Sequence, residues 1–330
     1  MEEKIKIYIS KSTADILNKD AELFEFFKQN GTVNRNAFLN TLIVNYIDRY
    51  QLLRNSMTSA IEQETGSDGE AVMKILDRFQ LSDSGMKTDT VISVKPTKQS
   101  SASIVYIQEC LLKNSTLSGY FRTMFASYAL LPRNEREKII FKPVYDALSK
   151  AIENQKMIWF TTKARGKFRH TASPYMVTSS KEELFNYLLC EYNGTPYSFR
   201  MSRISAVFTL NRDSVIQPEV RSRLERMLEY GPQFAIRSDD EIRVRLTDAG
   251  IRNFQSFFIH RPVPCRIEGN VYIFRCSEDQ IMNYFTRFGQ TAVIESPAGL
   301  HRRAEQFFRN ACRSYRSSAV IDSGQTEDDS

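Results

Sequence analysis

The sequence predicts an α+β chain of several domains, and three observations carry that expectation. A short strand followed by two helices occurs at the N-terminus and again after residue 89. Residues 156–210 hold four or five short strands separated by turn residues, the pattern of a small, strongly bent sheet or barrel. From Glu241 the order is strand, helix, strand, strand, helix, strand, which is the ferredoxin-like order. A chain of 330 residues, 42% hydrophobic and 12% aromatic, has enough apolar material for two or three cores.

Each element follows from its pattern. In KIKIYIS, Ile5, Ile7 and Ile9 alternate with Lys4, Lys6 and Tyr8, as in a strand with one buried face. Helical spacing then runs from about Thr13 to Lys28. A second helix carries Ala37, Phe38, Thr41, Leu42, Asn45 and Tyr46, with Thr32 or Asn34 as N-cap. The second copy places Ile92 and Val94 in the strand and aligns Asn114 to Leu131 with Asn30 to Ile47. Neither copy has the bulk to form a core alone. The duplication resembles the ribbon-helix-helix fold, in which two units pair strands and interlock helices, and implies a pseudo-dimer within one chain. Between the copies, residues 71–79 read as a short helix between loops.

Asn134 to Asn154 reads as one or two helices leading into the strands KMIWFTT, SPYMVTS, LFNYLLCEYN and YSFRMSRISAVFTL, with Ala164-Arg165-Gly166 and Asn193-Gly194 as turns. A helix over Gln217 to Tyr230 stops at Gly231-Pro232. The C-terminal elements are expected at Glu241 to Leu246, Asp248 to Phe257, Val263 to Ile267, Val271 to Cys276, Glu278 to Phe288 and Ala292 to Glu295. A last helix follows from Pro297 to about Tyr315. The divisions are therefore 1–132 (copies at 1–52 and 89–132), 133–213, 214–316, and a polar, disordered tail over 317–330.

Composition narrows the function classes. Lys and Arg number 45 against 39 acidic residues, a net charge of +6 with a pI near 9.0, a mild tilt toward anionic partners. The five cysteines form no Cys-x-x-Cys pair, so neither a disulfide framework nor a zinc site is indicated, and a reducing cytoplasm fits. No apolar leader opens the chain and no run is long enough for a membrane span. His170, His260 and His301 are isolated, and no phosphate loop or nucleophile elbow is present, so neither an enzyme nor a cofactor or metal is expected.

The segment Ala151 to Leu210, with Ala151-Ile152, SPYMV, NYLL and FRMSRIS, is similar to the WYL domain, an Sm-like small barrel of bacterial regulators and CRISPR-associated proteins. Asn186 stands where that family has its tryptophan. The resemblance implies a groove for nucleic acid or nucleotides, carried here by Tyr175, Tyr187, Arg200 and Arg203. With the ribbon-helix-helix and C-terminal parts, the chain resembles the WYL accessory proteins of type VI-D CRISPR systems. That implies binding of single-stranded RNA, support of the partner RNase, and a homodimer.

The residue chemistry is compatible with RNA. Tyrosine faces stack bases and arginines hold phosphates by paired hydrogen bonds, although the same tyrosines could fill a core and the arginines could pair with acids. Arg200 and Arg203 differ in strand parity, so they converge only if the chain bends near Ser202. Lys163, Arg165, Lys167 and Arg169 alternate around a turn and would either extend a phosphate track or guard a sheet edge. Arg302, Arg309, Arg313 and Arg316 form a stripe on the last helix, opposite Leu300, Ala304, Phe308, Ala311 and Tyr315. In the alternative reading, a transcriptional regulator, Lys4, Lys6 and Tyr8 would enter duplex DNA with Asn34 and Arg35 holding a phosphate.

Overall fold

The computed structural model describes residues 4–66, 68–69, 71–73, 75, 90–112, 116–163 and 168–322. It is a mixed α+β structure with three antiparallel sheets among the described residues. Arg165 and Lys167, most of the helix expected at 71–79, and the end of the tail lie outside them.

The first sheet is a two-stranded ribbon of β1 (Ile5–Ile9) and β2 (Thr90–Val94), with Ile7 opposite Ile92. Period-2 alternation sends Ile7, Ile9, Ile92 and Val94 inward and leaves Lys6, Tyr8, Val91 and Ser93 exposed. Each strand runs into a helix capped by a hydroxyl: Ser10 caps α1 (Lys11–Leu23) and Thr97 caps α3 (Lys98–Tyr106). Two further helices follow, α2 (Arg35–Thr65), capped by Asn34, and α4 (Leu117–Leu130), capped by Thr116.

The caps fix the correspondence between the two copies. Asn34 falls on Thr116, so Phe38, Leu39, Leu42, Ile43 and Tyr46 fall on Tyr120, Phe121, Met124, Phe125 and Tyr128, all buried. The letter-by-letter alignment of Asn30 with Asn114 is therefore two residues out of register with the buried faces. Asn40 and its counterpart Arg122 do the same work: the Asn40 amide donates to the Lys95 carbonyl (3.1 Å) and Arg122 Nε to the Tyr8 carbonyl (2.7 Å).

Helix α5 (Arg133–Ile140) closes this module with a buried polar triad. Arg136 grips Asp20 on α1 through Nε (2.6 Å) and a second nitrogen (3.0 Å), and the Tyr128 hydroxyl donates to the same carboxylate (2.8 Å). Asp20 is fully buried, so the pair ties α1, α4 and α5 where solvent gives no substitute partner.

Helix α6 (Lys142–Glu153) leads into a five-stranded sheet of order β6-β5-β4-β3-β7. Its strands are β3 (Lys156–Thr162), β4 (Arg169–Ser179), β5 (Asn186–Tyr192), β6 (Thr195–Arg200) and β7 (Ile204–Asp213). The expected single strand from Tyr197 to Leu210 is in fact two, broken by one 3₁₀ turn at Met201–Arg203. Asn193-Gly194 makes the β5–β6 hairpin, both residues at positive φ (53° and 72°), as a primed turn requires.

Beyond α7 (Pro218–Tyr230) come β8 (Ile242–Leu246), α8 (Asp248–Ser256), β9 (Arg266–Glu268), β10 (Val271–Phe274), α9 (Glu278–Phe285) and β11 (Ala292–Ser296). The strands order as β11-β8-β10-β9, around a core of Val244, Phe274, Ile281, Tyr284 and Phe285. Helix α10 (Ala298–Asp322) runs well past the expected stop at Tyr315 and into the segment expected to be disordered. It buries Leu300 and Ala304, but Tyr315, expected on the core side, is 80% exposed.

Candidate nucleic-acid interface

The 3₁₀ turn supplies the bend on which convergence of Arg200 and Arg203 depends. Met201 and Ser202 are fully buried, and the Ser202 N–H donates to Glu137 Oε1 (3.2 Å). Glu137 Oε2 accepts from the Asn186 backbone N–H (2.6 Å) and side-chain amide (2.8 Å). The fully buried Asn186 is thus a polar anchor, joining α5 to β5. Burial raises the Glu137 pKa above its ordinary value, opposed by those hydrogen bonds and by Arg200.

Both arginines then reach the α1–α2 connection. Arg200 donates to the Leu23 carbonyl (2.7 Å) and lies 3.4 Å from the centre of the Phe185 ring. Arg203 Nε pairs with Glu25 Oε1 at 3.0 Å, with 60% of its side chain exposed. Lys163 joins them: its N–H donates to the Arg203 carbonyl (2.9 Å) and its ammonium stands 4.8 Å from the Phe141 ring centre and 5.9 Å from Phe26. Burial lowers the pKa of both Lys163 and Arg200; Glu25 opposes the shift at Lys163, and Glu137 foremost at Arg200. Three cations therefore gather at one seam, with Glu25 paired directly to Arg203 and the buried Glu137 acting on Arg200 and Lys163.

The two tyrosines of the expected groove do not line this seam as free stacking faces. Tyr187 is buried, donates to Glu183 Oε2 (2.6 Å), and has its hydroxyl pKa raised by that burial and by Glu183. Tyr175, at the bulge of β4, packs beside Leu189, Val220 and Leu224 with the Arg221 guanidinium 5.5 Å from its ring centre. Both sit in apolar surroundings that strand parity alone does not disclose.

An aromatic surface that pattern reading missed lies on the outer face of β3 and β7. Trp159 and Phe208 are direct cross-strand partners, stacked at 4.1 Å with their planes 14° apart. From β4, the Arg169 guanidinium stands 4.1 Å from the Trp159 ring centre. The signal was the one tryptophan of the sequence at an outward position of a strand, but its partner is non-local and only the register identifies it.

The ribbon residues stand as their parity implied: Lys4, Lys6 and Tyr8 are exposed. Asn34 is engaged in capping Ala37 N–H (3.1 Å), and Arg35 is exposed at the start of α2. Arg302, Arg309, Arg313 and Arg316 are exposed on α10, where Arg309 pairs with Glu305 at 2.7 Å. Among the described residues no three His, Cys, Asp or Glu side chains gather as metal ligands, and no helix is long and apolar enough to cross a membrane.

No family model matches the chain, and no curated protein does. A solved crystal structure described as a CRISPR Cas-related protein aligns over 96% of this chain and 95% of its own, at 21% identity and a TM-score of 0.65. The two share a fold along nearly their whole length. Proteasome accessory factor B/C (PafBC) of Arthrobacter aurescens aligns over 94% of this chain and 50% of its own, at 12% identity and a TM-score of 0.27, and carries no weight here.

Proposed function

We propose that this chain is a non-catalytic accessory protein of a type VI-D CRISPR system. It binds single-stranded RNA at the Arg200, Arg203 and Lys163 seam and raises the activity of the RNA-guided RNase. The observation that carries this reading is the whole-length fold likeness to a CRISPR Cas-related protein.

The finer architecture is read the same way. One strand and two helices from each copy, paired through β1 and β2, support a ribbon-helix-helix pseudo-dimer. A lead helix, five strands ordered β6-β5-β4-β3-β7 and a 3₁₀ turn between β6 and β7 support the Sm-like barrel of a WYL domain. The β11-β8-β10-β9 order supports a ferredoxin-like C-terminal domain. A cytoplasmic homodimer completes the proposal.

The test measures anisotropy of labelled single-stranded RNA and duplex DNA across a salt series, with RNase assays in the presence and absence of the protein. Tight RNA binding that falls with salt, weakens in Arg203→Ala and accompanies faster RNA cleavage is the expected result. The exposed Lys4, Lys6 and Tyr8 favour a second reading, a ligand-responsive regulator that grips duplex DNA with its ribbon. Duplex DNA outcompeting RNA, with loss of binding in Lys4→Ala/Lys6→Ala, would select it.

A further inference from the structure

We propose that the Arg169–Trp159–Phe208 ladder is a stacking platform for one base of single-stranded RNA, which docks on the free face of Phe208. The inference rests on the RNA-binding reading and names a contact outside the arginine seam. The strand order puts Arg169 on β4, Trp159 on β3 and Phe208 on β7, so the stack runs across the sheet and ends at its edge. Phe208 is 49% exposed there. One ring face at the end of the stack is therefore available to a flat partner.

Two features select a polynucleotide over a protein surface. Arg169 meets no carboxylate among the described residues, so its guanidinium is left to hold a phosphate of the strand whose base stacks on the ladder. The ladder is also continuous with the seam. Lys163 directly follows β3 and Arg203 directly precedes β7, the two strands that carry Trp159 and Phe208. Lys163 lies four residue steps beyond Trp159, about 13 Å along the chain. A single strand laid along β3 and β7 would meet the cations at one end and the rings further along. Bases of any identity stack on such a surface, because each has a π-face.

The experiment uses the full chain, a labelled oligoadenylate and the same oligomer with abasic sites, which keeps the phosphates and removes the bases. Phe208→Ala weakens oligoadenylate binding about 5- to 150-fold, Phe208→Tyr restores it, and the abasic probe does not distinguish the variants. Circular dichroism and urea melts verify that each variant is folded. Unchanged oligoadenylate affinity in Phe208→Ala overturns the platform and leaves the RNA reading standing. Equal loss on both probes, with a shift to monomer in sedimentation, overturns it in favour of a contact between copies of this chain. Wild-type protein that binds neither probe refutes the RNA reading, and the platform with it.

Discussion

Glu25 occupies the place at Arg203 that a phosphate would take, so its removal tests the seam directly. Glu25→Gln keeps the side-chain length and the backbone, which sits at φ 60° in this residue, and deletes only the charge. The Arg203 side chain is 60% exposed and that of Glu25 29%, so the pair belongs with solvent-screened ion pairs, which contribute about 0.2–1 kcal/mol. RNA that must displace this carboxylate therefore binds about 1.4- to 5-fold more tightly to the variant. If Arg203 gains one phosphate contact, the slope of log affinity against log salt steepens by about 0.7. Stability falls by no more than about 1 kcal/mol, because the pair is screened. Anisotropy titrations at several salt concentrations, with urea melts as control, measure all three quantities. Equal or weaker RNA binding by a folded Glu25→Gln protein would refute the idea that Arg203 exchanges a carboxylate for a phosphate.

Three further outcomes are expected. Asp20→Ala strands Arg136 in a buried site and lowers unfolding stability by about 3–5 kcal/mol in urea melts, whereas a loss under about 1 kcal/mol would mean that the triad is not a structural tie. In a native thiol titration the exposed Cys110, Cys265 and Cys312 react first, while Cys190 and Cys276 wait for unfolding. Burial raises the pKa of both slow thiols, to about 12 at Cys276, and five equally fast thiols would contradict their placement. The native pKa of Glu137 is raised above its ordinary 4.5, so the folded state holds that proton more tightly than the unfolded chain. Its contribution to stability is present below 4.5 and is lost as pH rises through the native value. Glu137→Gln removes that pH-dependent component, and urea melts at stepped pH would show an unchanged profile if the assignment is wrong.

Period-2 and helical spacing carried much of the element order. Lys156–Thr162 is the strand that KMIWFTT suggests, and β8 through β11 follow the expected sequence of strands and helices. The contacts that spacing does not disclose share a cause: each depends on a partner distant in sequence. The turn at Met201–Arg203 is held by Glu137, Tyr187 is buried in a cluster with Phe24 and Phe141, and Arg200 and Arg203 are engaged by the Leu23 carbonyl and Glu25. The repeat misled differently. Shared letters around Asn30 and Asn114 outweighed the caps, yet Asn34 and Thr116 are the residues that start the two helices. Residue chemistry indicated where cations would gather, while only the register revealed which of them already had company.

The ribbon also constrains the order of events at the ribosome. Ile7 has no strand to pair with until Ile92 has been made, and Arg200 closes onto Leu23 later still. At about 5–20 residues per second, the opening strand waits some 4–17 s for its mate. During that interval its unpaired edge is open to the β2 strand of a neighbouring nascent chain. Two copies emerging from one message would then exchange β1 strands, giving a swapped assembly whose abundance follows translation speed and not affinity.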